Sequence, residues 1–133
     1  MKRNSSAGFS LLELMVVVVV LGIIAAIAYP SYTNYVERAN RSEGQAYLLD
    51  VAAKQERYRS QNHSYVERNE DIAKMGVQPI SETGKYKLSV KKGEGGYVLT
   101  AAPTFNDSKC GDLMLNARGE KSVSRGTVKE CWQ

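Results

Sequence analysis

The chain has 133 residues, enough for one domain with a modest core and too few for several. Its formal net charge is +4, and the surplus is uneven: Lys85 to Gln133 hold nine Lys or Arg against five Asp or Glu, while residues 1–84 balance at nine against nine. That asymmetry is mild; it excludes a strongly polybasic tail and points first to a solvated surface, with nucleic acid, anionic lipid or an acidic protein as partners a basic half is able to meet.

The first element in the chain is "GFSLLELMVVVVVLGIIAAIAYP", Gly8 to Pro30, in which Leu14 to Tyr29 carry no charge. One reading is a secretory signal, with Lys2 and Arg3 as the basic start and Ala26-Ile27-Ala28 as the cleavage site. Another is a membrane anchor: Phe9 to Tyr29 is 21 residues, about 32 Å as a helix, and spans a bilayer with its basic end cytoplasmic. Both leave Glu13 unexplained, since a carboxylate in a spanning helix costs several kcal/mol without a partner. Cleavage between Gly8 and Phe9 supplies that partner. The new α-amine then lies four residues before Glu13, close to it in one helix and able to pair with it from a neighbouring helix displaced along the axis, so burial of the charge favours assembly.

After Pro30 the pattern becomes amphipathic. Tyr32, Tyr35, Val36, Ala39, Ala46, Leu49 and Ala53 recur at helical steps, and Leu48, Val51 and Ala52 form a second apolar row. Glu37, Arg38, Arg41, Asp50, Lys54 and Arg57 fall at other positions, and Gly44 is a tolerated weakness. One helix is expected from about Ser10 to Arg59, stopping before the polar "SQNHS". The connection from Ser60 to Gly84 is long, and "NEDIAKMG" (Asn69–Gly76) has room for a helical turn. "KYKLSV" (Lys85–Val90) alternates as a strand, "GEGG" (Gly93–Gly96) turns, and "YVLTA" (Tyr97–Ala101) is rich in β-formers. "DLMLN" around Met114 and "KSVS" (Lys121–Ser124), joined by "ARGE", suggest a third and a fourth strand. A long helix laid on a small antiparallel sheet is an α+β fold.

The two cysteines, Cys110 and Cys131, have no zinc-like spacing, and an exported head makes a disulfide the simple reading. Catalytic signatures are missing: there is no G-x-S-x-G, no H-E-x-x-H and no Gly-rich phosphate loop, and the single histidine, His63, sits in a polar stretch. Asp107 and Asp112 flank Cys110 without forming a calcium pattern, so neither a metal nor a cofactor is expected. Lys85, Lys87, Lys91, Lys92, Lys109, Lys121, Arg125 and Lys129 are candidate phosphate contacts, with Trp132 and Tyr97 as stacking surfaces and Lys85 and Lys87 on one strand face. The competing reading is that these cations only keep a strand edge and loops soluble.

Residues Met1 to Pro30 resemble the type III signal of the type IV pilin and pseudopilin superfamily. The resemblance implies cleavage after Gly8 by a prepilin peptidase, N-methylation of Phe9, a role in assembly for Glu13, and a proline, Pro30, that ends or bends the helix. "RSEGQAYLLDVAAKQERYRSQNHSY", "YVLTAAP", "CGDLMLNARGEKS" and the closing "CW" are similar to one minor-pilin group, which includes the DNA-uptake-sequence receptors of competent bacteria and uses a disulfide like Cys110–Cys131 to pin its C-terminal loop. The implied organisation is a leader at 1–8, a transmembrane and assembly helix at 9–30, and a periplasmic head at 31–133. The implied partners are other pilins in a helical filament, the prepilin peptidase, the inner-membrane assembly machinery, the inner membrane before assembly, and DNA. The implied location is the bacterial inner membrane and then the extracellular pilus, in a non-enzymatic role in pilus biogenesis, twitching motility, adhesion or DNA uptake. A type II secretion pseudopilin is the alternative within the superfamily.

Overall fold

The computed structural model describes residues 8–133. The expected leader therefore lies, apart from Gly8, outside the described residues. Contacts divide the chain into two units, Met1–Val36 and Glu37–Gln133. Helix α1, Leu11–Asn62, supplies most of the first and opens the second.

In the first unit the helix begins after Ser10, whose hydroxyl accepts the Glu13 N–H at 3.4 Å and caps an open helix end. Residues 8–32 are all exposed. A helix apolar on every side has no preferred face to bury and needs an apolar surrounding or neighbouring helices. Pro30 lies inside α1 and does not end it. Proline removes one i→i−4 bond, but the turns on either side remain bonded, and the Thr33 hydroxyl donates to the Pro30 carbonyl at 2.9 Å.

In the second unit α1 packs on an antiparallel meander of β1 (Tyr86–Gly93), β2 (Gly96–Pro103), β3 (Leu113–Asn116) and β4 (Lys121–Val123) in that spatial order. The strands follow the sequence reading, with β1 and β2 longer at their ends. Pairing continues to Gly93↔Gly96, so the turn shrinks to Glu94 and Gly95. Leu88↔Ala101, Val90↔Leu99 and Leu99↔Leu115 put one apolar face of the sheet towards the core. Asn69–Met75 is a 3₁₀ helix that adds Ile72 and Met75 to that core.

The buried face of α1 differs from the expected one. Arg41, Gly44, Leu48, Val51 and Gln55 are buried, at steps of three and four. Of the first expected row, Tyr32, Tyr35, Ala39, Ala46, Leu49 and Ala53 are exposed and Val36 is half-buried. The second row, Leu48 and Val51, is the one the sheet covers. The true stripe was obscured because its ends are polar and its second member is glycine. Gly44 is required rather than tolerated: a Cβ there would lie 2.7 Å from Cζ of Tyr86, so the ring packs on bare helix backbone. Gln55 is buried because its amide donates to the Val66 carbonyl at 2.7 Å and accepts the Val66 N–H at 3.0 Å, satisfying the start of the long connection.

The helix also runs to Asn62, past the expected end at Arg59. Ser60 and Asn62 donate to the carbonyls of Arg57 and Tyr58, so their polarity is absorbed by the helix itself. The end comes at His63, which takes φ +57 while its N–H still reaches the Arg59 carbonyl at 2.8 Å. A short helix, α2 (Val128–Cys131), was not expected. Its signal is present in "TVKE", a capping-box sequence: the Thr127 hydroxyl accepts the Glu130 N–H and donates to the Glu130 carboxylate.

Candidate nucleic-acid interface

Cys110 and Cys131 form a disulfide whose sulfurs lie in the core. Closing a loop of this size contributes about 3 kcal/mol through the unfolded chain. The bond joins the segment after β2 to α2, and both segments carry candidate cations. Arg125 donates its N–H to the Cys110 carbonyl at 3.1 Å. Gly126, at φ +67, lies so close that a Cβ would sit 2.7 Å from the Lys109 carbonyl oxygen. Lys109 and Arg125 are therefore held on adjoining backbone, with Lys129 on α2 and all three exposed.

A second group lies on the outward face of the sheet. In β1 the buried Tyr86, Leu88 and Val90 alternate with outward Lys87, Ser89 and Lys91. Their cross-strand partners, Ala102, Thr100 and Val98, share that outward face and add no charge. Lys85 does not extend this row as expected. It precedes β1 and lies 3.6 Å from Glu43 on α1, whose carboxylate also accepts from Ser81 and Thr83. Lys92 lies 3.8 Å from Glu67. Lys121 is placed over the ring of Trp132, 5.1 Å from its centre.

Neither aromatic side chain stands free for a base. Tyr97 is 2% exposed and meets Tyr65 edge to face at 4.9 Å, so it belongs to the core. Trp132 is half-buried and donates its indole N–H to the Ser122 carbonyl at 3.2 Å. Among the described residues, Lys87, Lys91, Lys109, Lys121, Arg125 and Lys129 meet no carboxylate partner. Uncompensated surface cations leave a positive field that a polyanion neutralises at little desolvation cost.

The residue most at odds with its sequence reading is Arg41, placed there among the charges that lie off the apolar rows. It is 4% exposed. Its guanidinium forks onto Asp107, with Nε and Nη2 at 2.8 and 2.7 Å from the two carboxylate oxygens, and Nη2 also reaches Glu37 at 3.1 Å. Asp107 further accepts the Cys110 N–H at 3.0 Å. Hydrogen bonding to Asp107 raises the Arg41 pKa against the opposing effect of burial. Burial alone would push the Asp107 carboxyl up, but Arg41 and the Cys110 N–H outweigh it and hold the group below its ordinary value. Both Asp107 oxygens are thus engaged by protein donors.

Glu13 lies in the first turn of α1, and Phe9 is exposed just before it. A comparison with curated proteins finds no match. Family models do match: a prokaryotic N-terminal methylation motif covers residues 3–29, and the model of the type IV minor pilin ComP, DNA uptake sequence receptor, covers residues 30–114. Between them these matches take in the apolar helix, the amphipathic helix and the sheet as far as Met114 in β3, and since the second alone covers more than half of the chain, the protein belongs to this family of type IV minor pilins.

Proposed function

We propose that this minor pilin is a DNA receptor of the pilus. The observation that carries the reading is the pair of uncompensated cation groups, Lys87 and Lys91 on the outer sheet face and Lys109, Arg125 and Lys129 around the disulfide. The family match supports it. Lysine and arginine contacts to phosphate supply affinity, so binding is salt-dependent, and any sequence preference requires base contacts in addition. Lys85 and Lys92, both ion-paired, contribute less, and Lys121 joins the site only by leaving the Trp132 ring.

The same proposal covers processing and placement. A leader at 1–8 is removed between Gly8 and Phe9, and the Phe9 amine is methylated. The 9–30 helix anchors the chain in the inner membrane with its start cytoplasmic and the 31–133 head periplasmic. Glu13 then pairs with the Phe9 amine of a neighbouring pilin as the filament forms. The minor-pilin match favours a pilus subunit over a secretion pseudopilin.

The test is duplex binding by the oxidised protein across a salt series with two unrelated sequences. The expected result is submillimolar binding to a preferred duplex, with log affinity falling against log salt by about 0.9 for each phosphate neutralised. Absence of binding to either duplex at low salt would sink the receptor reading and leave a structural or priming subunit.

A further inference from the structure

The segments joined by the disulfide behave as one body. Besides the bond itself and the Arg125 to Cys110 hydrogen bond, Ser124 donates its N–H to the Asp112 carbonyl at 3.0 Å, and the Asp112 N–H reaches the Ser124 hydroxyl at 2.8 Å. This body carries Lys109, Arg125 and Lys129. Polar links from α1 fix it in place. Arg41 forks onto Asp107, and Gln45 donates to the Cys131 carbonyl at 2.8 Å.

An ion pair this buried is an odd choice if holding the fold together were its purpose. The Asp107 side chain is wholly enclosed, and replacing a buried pair by apolar residues of similar size is often neutral or stabilising. What apolar contact does not supply is orientation. Two parallel hydrogen bonds between a planar fork and a carboxylate fix angle and register together, which neither lysine nor methionine reproduces. The Asp107 oxygen that meets Arg41 Nη2 also accepts the Cys110 N–H, so the geometry passes directly from the helix to the disulfide.

We propose, resting on the receptor reading above, that Arg41 is a positioning residue for DNA binding: through Asp107 it sets the Lys109–Arg125–Lys129 platform in a fixed attitude on α1. A platform fixed beforehand does not have to be ordered when the duplex arrives, which raises affinity without adding a contact.

The experiment uses the full chain in detergent micelles, comparing the wild type with the double variant Arg41→Met/Asp107→Leu, with Arg41→Lys and with Lys109→Ala. Three quantities are measured: melting temperature, hydrogen exchange at the Arg125 amide and at the Gly111 amide, which donates to the Asp107 carbonyl at 3.0 Å, and affinity for a labelled duplex across a salt series. The double variant is expected to keep its disulfide, to melt lower because Asp107→Leu leaves the buried Cys110 N–H without its acceptor, to exchange faster at both amides, and to bind about tenfold more weakly at an unchanged salt slope. Arg41→Lys should lie between it and the wild type. Lys109→Ala, which removes a contact, should lower the slope by about 0.9 and leave exchange unchanged.

Unchanged exchange and affinity in the double variant would overturn the proposal, as would a reduced salt slope, which marks a lost contact rather than a lost position. If the double variant does not accumulate, Arg41→Lys decides by the same criteria. If the wild type binds no duplex, the receptor reading falls and the exchange measurement alone judges Arg41: faster exchange upholds its hold on the platform, and unchanged exchange removes it.

Discussion

Residues 14–29 of α1 are uncharged and exposed around the whole helix, whereas between Arg41 and Gln55 the same helix buries an arginine and a glutamine and leaves leucine in solvent. Hydrophobicity is therefore a poor guide to the core in either region. In the first, no described residue of that unit covers the side chains, and their apolarity suits a bilayer or neighbouring helices. In the second, a sheet covers one face, and position relative to that sheet decides burial. Leu48 is 0% exposed and Leu49 is 52% exposed, although they are adjacent and identical in type.

That contrast can be broken at its strongest point by Glu13→Ala. The first region depends on partners outside the chain, so the change should leave the head's melting untouched while incorporation into pili falls about a hundredfold, the scale set by leaving a neighbour's amine unpaired in apolar surroundings. Normal incorporation, measured by quantifying the subunit in sheared pili, would remove Glu13 from assembly. A sharper comparison lies inside the second region. Leu48→Ala should lower the unfolding free energy of the head by about 3 kcal/mol, and Leu49→Ala should change it by about 0.5 kcal/mol or less. Similar losses in the two variants, read by denaturant titration, would mean that the exposed row of α1 is packed after all.

The smallest effect separates the two helix glycines. At Gly44 an added methyl meets the Tyr86 ring, so Gly44→Ala should destabilise the head by about 1–3 kcal/mol. At Gly22 the space is open within 4 Å, and Gly22→Ala should instead favour helix by about 1 kcal/mol. Circular dichroism of each variant in detergent, with the head's melting followed separately, checks both signs. A neutral Gly44→Ala would show that the ring gives way more easily than its packing implies.

Much of the fold was legible because local patterns carried it. The alternation of Tyr86, Leu88 and Val90, the glycines before Tyr97 and the turn after Asn116 placed the strands without reference to anything distant. The helix face was misread for a definite reason: a row that begins with Arg41, continues through Gly44 and ends with Gln55 does not look like a core stripe. Those residues are buried by partners far away in sequence, Asp107, Tyr86 and Val66, and a helical period records spacing but not partners. The T-x-x-E pattern that marks the Thr127 cap was readable and was missed. The candidate cations were visible as residue types, but their grouping was not. Lys85 and Lys92 were taken up by Glu43 and Glu67, and Tyr97 was turned inwards by strand register.

By itself the sequence determined the apolar helix and its isolated carboxylate, because a run of uncharged residues and one costly charge are properties of the chain alone. It also determined the order of helix and strands, since the periods of 3.6 and 2 are written in neighbouring residues. Tertiary structure decided which face of α1 is core, that Arg41 and Asp107 are buried as a pair, and which lysines remain without a counter-charge. Each of these depends on groups brought together across long separations, where burial and pairing are set by the packed arrangement of helix, sheet and disulfide.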